Sequence, residues 1–404
     1  MNILLIIGQD IDVNSNTNIF KRRLIKELSK KNKVTVLMDY NCNRLKLKSK
    51  IEIRDNVKYI SYPMDFRVIT FFKHLINKKK KNKNAYHIEN IGINHQNGHK
   101  LFERYIEIVH PIYRYNSKWL KRAFKFKSTE KFDLVISMSH PPVSHQLAFD
   151  LIENNHIFCS TWIQLWFEYW YQKPKINSET KLINAYEKKL LSKADHIFYS
   201  NKVLSDHYSI KYNSLSNKIH YFDLPSEPID LYKQLNSAIE FTIGYFGTYD
   251  SKIRNIHPLY SAFCKLGNKS YIVGPSDLQL HSKKNLEIIN NRIPLKECNN
   301  LENKCHCLVI LSNYHNNMIS GKLYTYGMNG KPILFILDGK EEDQKNIVNE
   351  FEKYNNLYFC KNNEQDIINK INIIKEDLLK GMKYTLIDQF KTENVIESIL
   401  NEVK

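Results

Sequence analysis

The chain has 404 residues, more than one hydrophobic core usually supports, so two domains of roughly 200 residues are expected. Hydrophobic residues make up 42% and aromatics 12%, a globular composition, and the formal charge of +18 with a pI near 9.3 favours phosphate-bearing partners without choosing among nucleic acid, anionic lipid and phosphorylated substrate. The seven cysteines are scattered and lack CxxC spacing, which argues against zinc and for a reducing cytoplasm. Met1 to Gly8 is apolar but too short for an export signal, and no run of about 18 to 20 uncharged apolar residues appears, so membrane contact is expected to be peripheral.

Short β-rich runs alternate with helical periodicity from the first residue, the pattern of βα units whose parallel strands are buried on both faces. Strands are predicted at Ile3 to Ile7, Val34 to Met38, Val57 to Ser61, Leu134 to Ser137, His156 to Trp162 and His196 to Ser200. Helices are predicted at Asn18 to Lys31, Val143 to Asn154, Glu179 to Lys193 and Lys202 to Ile210. Between them Pro63 to Lys131 is too long for an ordinary connection and should hold helices as a basic insertion. Within it Val68, Phe71, Phe72, Leu75 and Ile76 share one helical face, ahead of the cationic run Lys78, Lys79, Lys80 and Lys81. A second basic and aromatic stretch runs from Tyr113 through Trp119, Lys121, Arg122, Phe124 and Phe126 to Lys127.

Tyr221 to Glu240, with Pro225 and Pro228 among polar residues, reads as a linker dividing the chain into domains 1–225 and 226–404. The alternation restarts with strands at Phe241 to Phe246, Ser270 to Val273, Cys307 to Leu311, Pro332 to Ile336 and Leu357 to Cys360. Helices at Ile256 to Leu266, Lys322 to Met328 and Glu341 to Tyr354 separate them, and the final helix of the 226–404 domain is a candidate to pack back on the first domain. The expected class is α/β with two doubly wound domains, in which ligands bind beyond the carboxyl ends of the strands, in the cleft between the domains.

Gly247 and Thr248 sit in the loop that ends one strand, where glycine lets backbone approach a ligand, although an ordinary turn explains it equally well. Lys252 and Arg254 follow just before a helix, where they could meet a diphosphate or be solvated charges. Gly274 ends the next strand and could admit a base or sugar. Ser320, Gly321 and Lys322 open a short helix whose free amides could hold an anion, against the plainer reading of a capped helix. His140 and Glu168, at strand ends of the first half, are candidate general bases, with a structural role as the alternative. No DxD-like pair stands in a strand-end loop, so neither metal nor cofactor is expected.

The succession FTIGYFGTYDSKIRNIHPLYSAF, SYIVGP, CHCLVILSN and SGKLYTYGMNGKPILFI resembles the nucleotide-sugar-binding half of family 4 and related GT-B glycosyltransferases. FDLVISMSHPP, IQLWFEYW and EKKLLSKADHIFYSNKVLSDHY resemble the acceptor-domain segments. The resemblance implies the GT-B fold, two facing Rossmann-like domains, with donor diphosphate neutralised by Arg254 and Lys252 and held by amides near Ser320 and Gly321. The family's two glutamates, eight positions apart around this helix, are matched by Asn317 and Thr325, and its acidic residue in the IQLWFE segment by Gln164. The implied activity is metal-independent transfer of a sugar from a nucleotide diphosphate to a glycan acceptor, with a polyprenyl-linked acceptor for bacterial surface polysaccharide in view.

The lysine run after Phe72 could bind nucleic acid, but no nucleic-acid module is present, and the amphipathic pattern suits an interfacial helix on an anionic membrane. The location expected is the cytoplasmic face of the plasma membrane. Two other functions stay open: a GT-B-like nucleotide-sugar 2-epimerase, and a noncatalytic nucleotide- or glycan-binding protein, which the missing glutamates allow.

Overall fold

The computed structural model describes residues 1–13, 15–41, 49–64, 117–139, 141–170, 177–228, 240–314 and 319–403. It forms two compact units, one of Met1–Ser200 with Tyr208–His220, the other of Asn201–His207 with Tyr221–Glu402.

In the first half of the chain the elements run β1 (Asn2–Ile7), α1 (Asn16–Ser29), β2 (Lys33–Asn41), β3 (Lys50–Arg54), β4 (Val57–Met64), α2 (Ser117–Ala123), β5 (Lys131–Met138), α3 (Val143–Glu153), β6 (Phe158–Trp166), α4 (Asn177–Lys193), β7 (His196–Tyr199), α5 (Lys202–Lys211), which is divided between the two units after His207, and β8 (Ile219–Tyr221). The sheet order is β3-β4-β2-β1-β5-β6-β7-β8. From β4 to β7 every pairing is parallel, because each connection crosses over. Those strands are buried on both faces, and Ile3, Leu4, Leu5, Ile6 and Ile7 have no exposed surface at all. The edge strand β3 is antiparallel to β4, turned by Asp55 and Asn56 at φ 49° and 63°, the left-handed pair that a two-residue hairpin requires. Its Arg54 is tied to Asp12 at 3.1 Å. Ser15 caps α1, its hydroxyl accepting from the Asn18 N–H at 3.2 Å.

The second unit runs β9 (Thr242–Phe246), α6 (His257–Leu266), β10 (Lys269–Val273), β11 (Leu286–Ile289), α7 (Leu295–Lys304), β12 (Cys307–Leu311), α8 (Lys322–Tyr326), β13 (Ile333–Leu337), α9 (Glu341–Phe351), β14 (Leu357–Lys361), α10 (Glu364–Leu379) and α11 (Thr392–Asn401). Its parallel sheet is ordered β11-β10-β9-β12-β13-β14. α6 ends at Gly267, left-handed at φ 65°, and α10 begins at Asn363, whose side chain accepts from the Asp366 N–H at 2.9 Å. Ile367, Ile371, Ile374 and Leu378 of α10 join Leu334 and Ile336 of β13 in one core.

The α/β class expected from the sequence is the one observed. In both sheets the six parallel strands follow the order 3-2-1-4-5-6 of a Rossmann-like domain, so each sheet reverses direction once, beside its first strand. The edge strand β3, strand β11 and helices α7 and α10 were not among the predicted elements. Part of the expected linker is packed chain, since Leu224, Pro225 and Ser226 are buried and Ser226 pairs with the α11 entry through the Phe390 carbonyl at 2.7 Å. α11 belongs to the second unit. Of the basic insertion, 65–116 lies outside the described residues, and with it Phe71, Phe72 and Lys78, Lys79, Lys80 and Lys81. The stretch around Trp119 is core: Trp119 is fully buried, Phe126 is buried, and Arg122 donates to the Pro63 carbonyl at 2.7 Å. Among the described residues no helix is long and apolar enough to cross a membrane.

Candidate functional site

In a sheet of this order the strands on either side of the reversal diverge, and ligands bind at their carboxyl ends. In the second unit those strands are β9 and β12, whose pairing runs from Ile243–Cys307 to Tyr245–Val309 and stops there. Beyond it the chain turns toward β10. The Gly247 N–H donates to the Val273 carbonyl at 2.8 Å, the Tyr249 N–H to the Pro275 carbonyl at 3.1 Å, and the Ser276 hydroxyl to the Tyr249 carbonyl at 2.7 Å. The two strand-end loops are thereby closed on each other. Gly274 makes that closure possible: its φ is 150°, and a Cβ there would lie 2.1 Å from the Gly247 oxygen. The space left by the missing side chain is thus filled by the Gly247 carbonyl, not left open for a base or sugar.

Arg254 is drawn into the same loop. Its Nη1 donates to the Thr248 carbonyl at 2.7 Å, which also accepts from the Tyr245 hydroxyl at 3.0 Å. Burial pushes the Tyr245 phenol up, and the neighbouring Arg254 charge opposes this. The Arg254 Nε is buried and finds no acceptor among the described residues. Its backbone N–H bonds the Asp250 carbonyl at 2.8 Å, which closes a tight turn and leaves the Lys252 side chain exposed. The segment after β12 reaches this turn too, through the Tyr314 N–H to the Ile253 carbonyl at 2.7 Å. Asn362, at the end of β14, bonds the Asn255 carbonyl at 2.9 Å and Asp338 at 2.6 Å, so the carboxyl edge is polar from β9 to β14.

Gly247, Thr248, Arg254 and Gly274 are therefore brought together, with Lys252 on the same turn. The other expected donor residues fall differently. Ser320 and Gly321 do precede a helix and are partly buried, but α8 is only five residues long, and Asn317 lies outside the described residues. The Lys322 ammonium is paired with the buried Glu302 of α7, which also accepts from the Tyr326 hydroxyl at 2.9 Å. Thr325 is partly buried on the same short helix. Lys331, in the GKP sequence, caps α7 from below, donating to the carbonyls of Glu302, Asn303 and Cys305 at 3.0, 3.1 and 2.7 Å.

In the first unit the reversal lies between β1 and β5. Gly8 ends β1 against α3: its N–H donates to Ser144 Oγ at 2.7 Å, and a Cβ would come within 2.6 Å of Val143. Glu168 follows the end of β6, partly buried, held there by the Phe167 N–H donating to Ser139 Oγ at 3.0 Å. His140 lies outside the described residues. Gln164 is fully buried inside β6, donating to the Leu190 carbonyl at 2.9 Å and accepting from the Trp166 indole at 2.9 Å. A carboxylate could not make the first of these bonds, so glutamine suits this strand-interior position.

A group not anticipated from the sequence stands at the same edge: Lys21 of α1, with no exposed surface, donates to Gln9 Oε1 at 3.5 Å, and Asp39, two residues before the end of β2, is buried as well. The signal was present in the sequence. Leu24, Ile25 and Leu28 follow Lys21 at helical spacing, so Lys21 belongs to the buried face, and Asp39 directly follows the run VTVLM of a buried parallel strand.

No protein-family model and no curated protein matches the sequence. Solved structures match it in fold. Sucrose-phosphate synthase from Thermosynechococcus elongatus is 14% identical, with 98% of this chain and 93% of that chain covered and a TM-score of 0.55. An α,α-trehalose 6-phosphate synthase from Burkholderia multivorans is 9% identical over 100% and 98% of the two chains, at TM-score 0.58. A structure described as trehalose-6-phosphate from E. coli bound with UDP-2-fluoro glucose is 10% identical over 100% and 96%, at TM-score 0.54. The chain has the GT-B fold, with its two Rossmann-like units.

Gly274→Ala is expected to destabilise the second unit by about 3 kcal/mol, at the upper end of ordinary single substitutions, because the new Cβ meets backbone. Gly267→Ala, equally left-handed but with only Asn285 within 4.0 Å, should cost about 1 kcal/mol. Denaturant unfolding of both variants checks the order. Equal losses would mean that the Gly247 approach is not a constraint.

Proposed function

We propose that the protein is a nucleotide-sugar glycosyltransferase, moving a sugar from a nucleotide diphosphate to a glycan acceptor. Fold alone does not carry an activity, so the reading rests on the site. Its central support is Arg254, a guanidinium fixed by Thr248 at the point where the second sheet reverses, with a buried Nε that has no acceptor among the described residues. A cation held there can neutralise a leaving diphosphate without reorganising, which is the largest demand of glycosyl transfer. The fold neighbour bound with UDP-2-fluoro glucose supports a donor of this class. Gly247, Thr248 and Lys252 are assigned to the donor with it, Ser320, Gly321, Asn317 and Thr325 to its outer edge, and Lys322 to the framework beneath.

On the first unit, Glu168 and His140 are proposed to face the acceptor, one of them taking its proton. The finer reading is a hexosyltransferase resembling family 4, acting on a lipid-linked glycan for a bacterial surface polysaccharide. It is supported by the quoted sequence resemblance and by the basic charge.

Arg254→Ala should weaken binding of UDP, GDP or ADP, whichever the native protein takes, by about 1.5–3 kcal/mol, a rise in Kd of about 10- to 160-fold. Titration calorimetry of wild type and variant reads this directly. Unchanged affinity would remove Arg254 from the site.

Membrane recruitment is proposed to run through Phe71, Phe72 and Lys78, Lys79, Lys80 and Lys81, each lysine adding roughly 1 kcal/mol near an anionic surface. In sedimentation, vesicles containing phosphatidylserine should retain wild type and release it as salt rises, and a variant with the four lysines changed to glutamine should stay in solution. Equal retention of both proteins would assign the segment elsewhere.

A further inference from the structure

Three neighbouring strands of the second sheet each end in a polar residue, and the three residues are linked. Ser312 follows β12, Asp338 follows β13 and Asn362 follows β14. The Asp338 N–H donates to Ser312 Oγ at 2.7 Å, and Asn362 Nδ2 donates to Asp338 Oδ2 at 2.6 Å. Nδ2 carries two hydrogens, and it also donates to the Asn255 carbonyl at 2.9 Å, on the residue after Arg254. Turned over, the amide would set its oxygen against a carboxylate and a carbonyl, so it has one orientation. That orientation leaves Oδ1 buried and without a donor among the described residues. A side chain kept only to fill the edge would carry no such cost. The backbone of Asn362 is fixed as well: its N–H donates to the Leu337 carbonyl at 2.9 Å, and the next residue, Asn363, caps α10.

We propose that Asn362 is a positioning residue for Arg254, holding the carboxyl side of the Asp250–Asn255 turn so that the guanidinium meets the donor diphosphate in a fixed pose. This rests on the reading of Arg254 as the cation for that diphosphate. Other contacts hold the rest of the turn. The Ser251 N–H donates to Asp277 Oδ1 at 2.8 Å on its first side, and the Tyr314 N–H donates to the Ile253 carbonyl at 2.7 Å in its middle. On the far side the Asn255 carbonyl takes the Asn362 amide, while the Asn255 side chain accepts from the His257 N–H at 3.3 Å at the entry to α6. A short bond from arginine to phosphate needs both ends of the side chain in place. The Thr248 carbonyl fixes the guanidinium, and Asn362 fixes the backbone one residue from the Arg254 Cα. Since Asp277 and Tyr314 remain, losing Asn362 loosens the turn without opening it.

Titration calorimetry with UDP, GDP or ADP, whichever wild type binds, tests this in a double-mutant cycle with Arg254→Ala. Asn362→Leu, or Asn362→Ser if the leucine variant does not fold, should raise the Kd for the diphosphate about fivefold, the contribution of one ordinary hydrogen bond. The matching nucleoside, which has no phosphate, should bind wild type and variant alike. In the Arg254→Ala background the same substitution should change the Kd for the diphosphate by less than about twofold, because no guanidinium is left to position. Gln365→Ala, at an exposed amide bonded to Asn369 on α10, should leave the Kd in place. An unchanged Kd in Asn362→Leu, equal weakening of nucleoside and diphosphate, or an equal loss in the Arg254→Ala background overturns the proposal. Amide hydrogen exchange is followed in the same proteins without ligand. The peptide covering Asp250–Asn255 should exchange at least about fivefold faster in Asn362→Leu than in wild type, and equal protection in both would also overturn the proposal. Wild type that binds no nucleoside diphosphate would sink the donor reading, while exchange still decides whether Asn362 holds the Arg254 turn.

Discussion

Parallel strands buried on both faces leave a protein few places for polar chemistry. Their side chains enter two apolar layers, their crossovers are covered by helices, and only the strand ends meet solvent. Both units of this chain obey that constraint. Where strand order reverses, neighbouring strand ends part, and the loops there must be held by contacts other than the sheet ladder. In the second unit that work falls to the approach of Gly274 to Gly247 and to the Thr248 carbonyl, shared by Arg254 and Tyr245. The loop is rigid because backbone lies against backbone, and a cation is fixed on it as a result.

The same constraint separates buried charges that build the framework from those that do more. In the second unit Glu302 receives Lys322 and Tyr326, and Lys331 spends its three donors on the last carbonyls of α7. That network is satisfied, and it locks helix to strand. In the first unit Asp39 keeps an oxygen without a donor among the described residues, and the Nζ of the buried Lys21 lies 3.5 Å from Gln9 Oε1, just past the end of β1. A buried polar group left partly unsatisfied costs stability, and it persists where position or proton exchange has a use.

The strands were legible because burial on both faces makes them nearly pure apolar runs: β12 was read at its observed bounds, and β1, β9 and β14 to within a residue or so at each end. Elements whose partners are polar were not. α7, LKECNNLENK, is mostly polar in sequence and its one buried side chain is Glu302, and β3 exposes Ile51 and Ile53 at a sheet edge. At the site, Arg254 and Gly247 could be named from a strand followed by a glycine loop and a helix. The true role of Gly274 could not, since it depends on a loop 27 residues away in sequence coming within van der Waals distance. Lys322 looked like a ligand for phosphate because its partner Glu302 stands 20 residues earlier in the chain. The burial of Lys21 follows from its spacing to Leu24 and Leu28, which places it on the inward face of α1.

In a transferase, sugar leaves its nucleotide diphosphate only when a hydroxyl is there to receive it. Mass spectrometry of UDP-, GDP- and ADP-sugars incubated with the protein, with and without a mixture of monosaccharides, sugar phosphates and a polyprenyl-linked sugar, measures this. Release of nucleoside diphosphate with one donor class, dependent on an acceptor and matched by a glycosylated product, is expected. Donor isomerised or hydrolysed equally well without acceptor would indicate an epimerase on this fold. No consumption of any donor, together with no nucleotide binding, would contradict the assignment of Arg254 to a diphosphate.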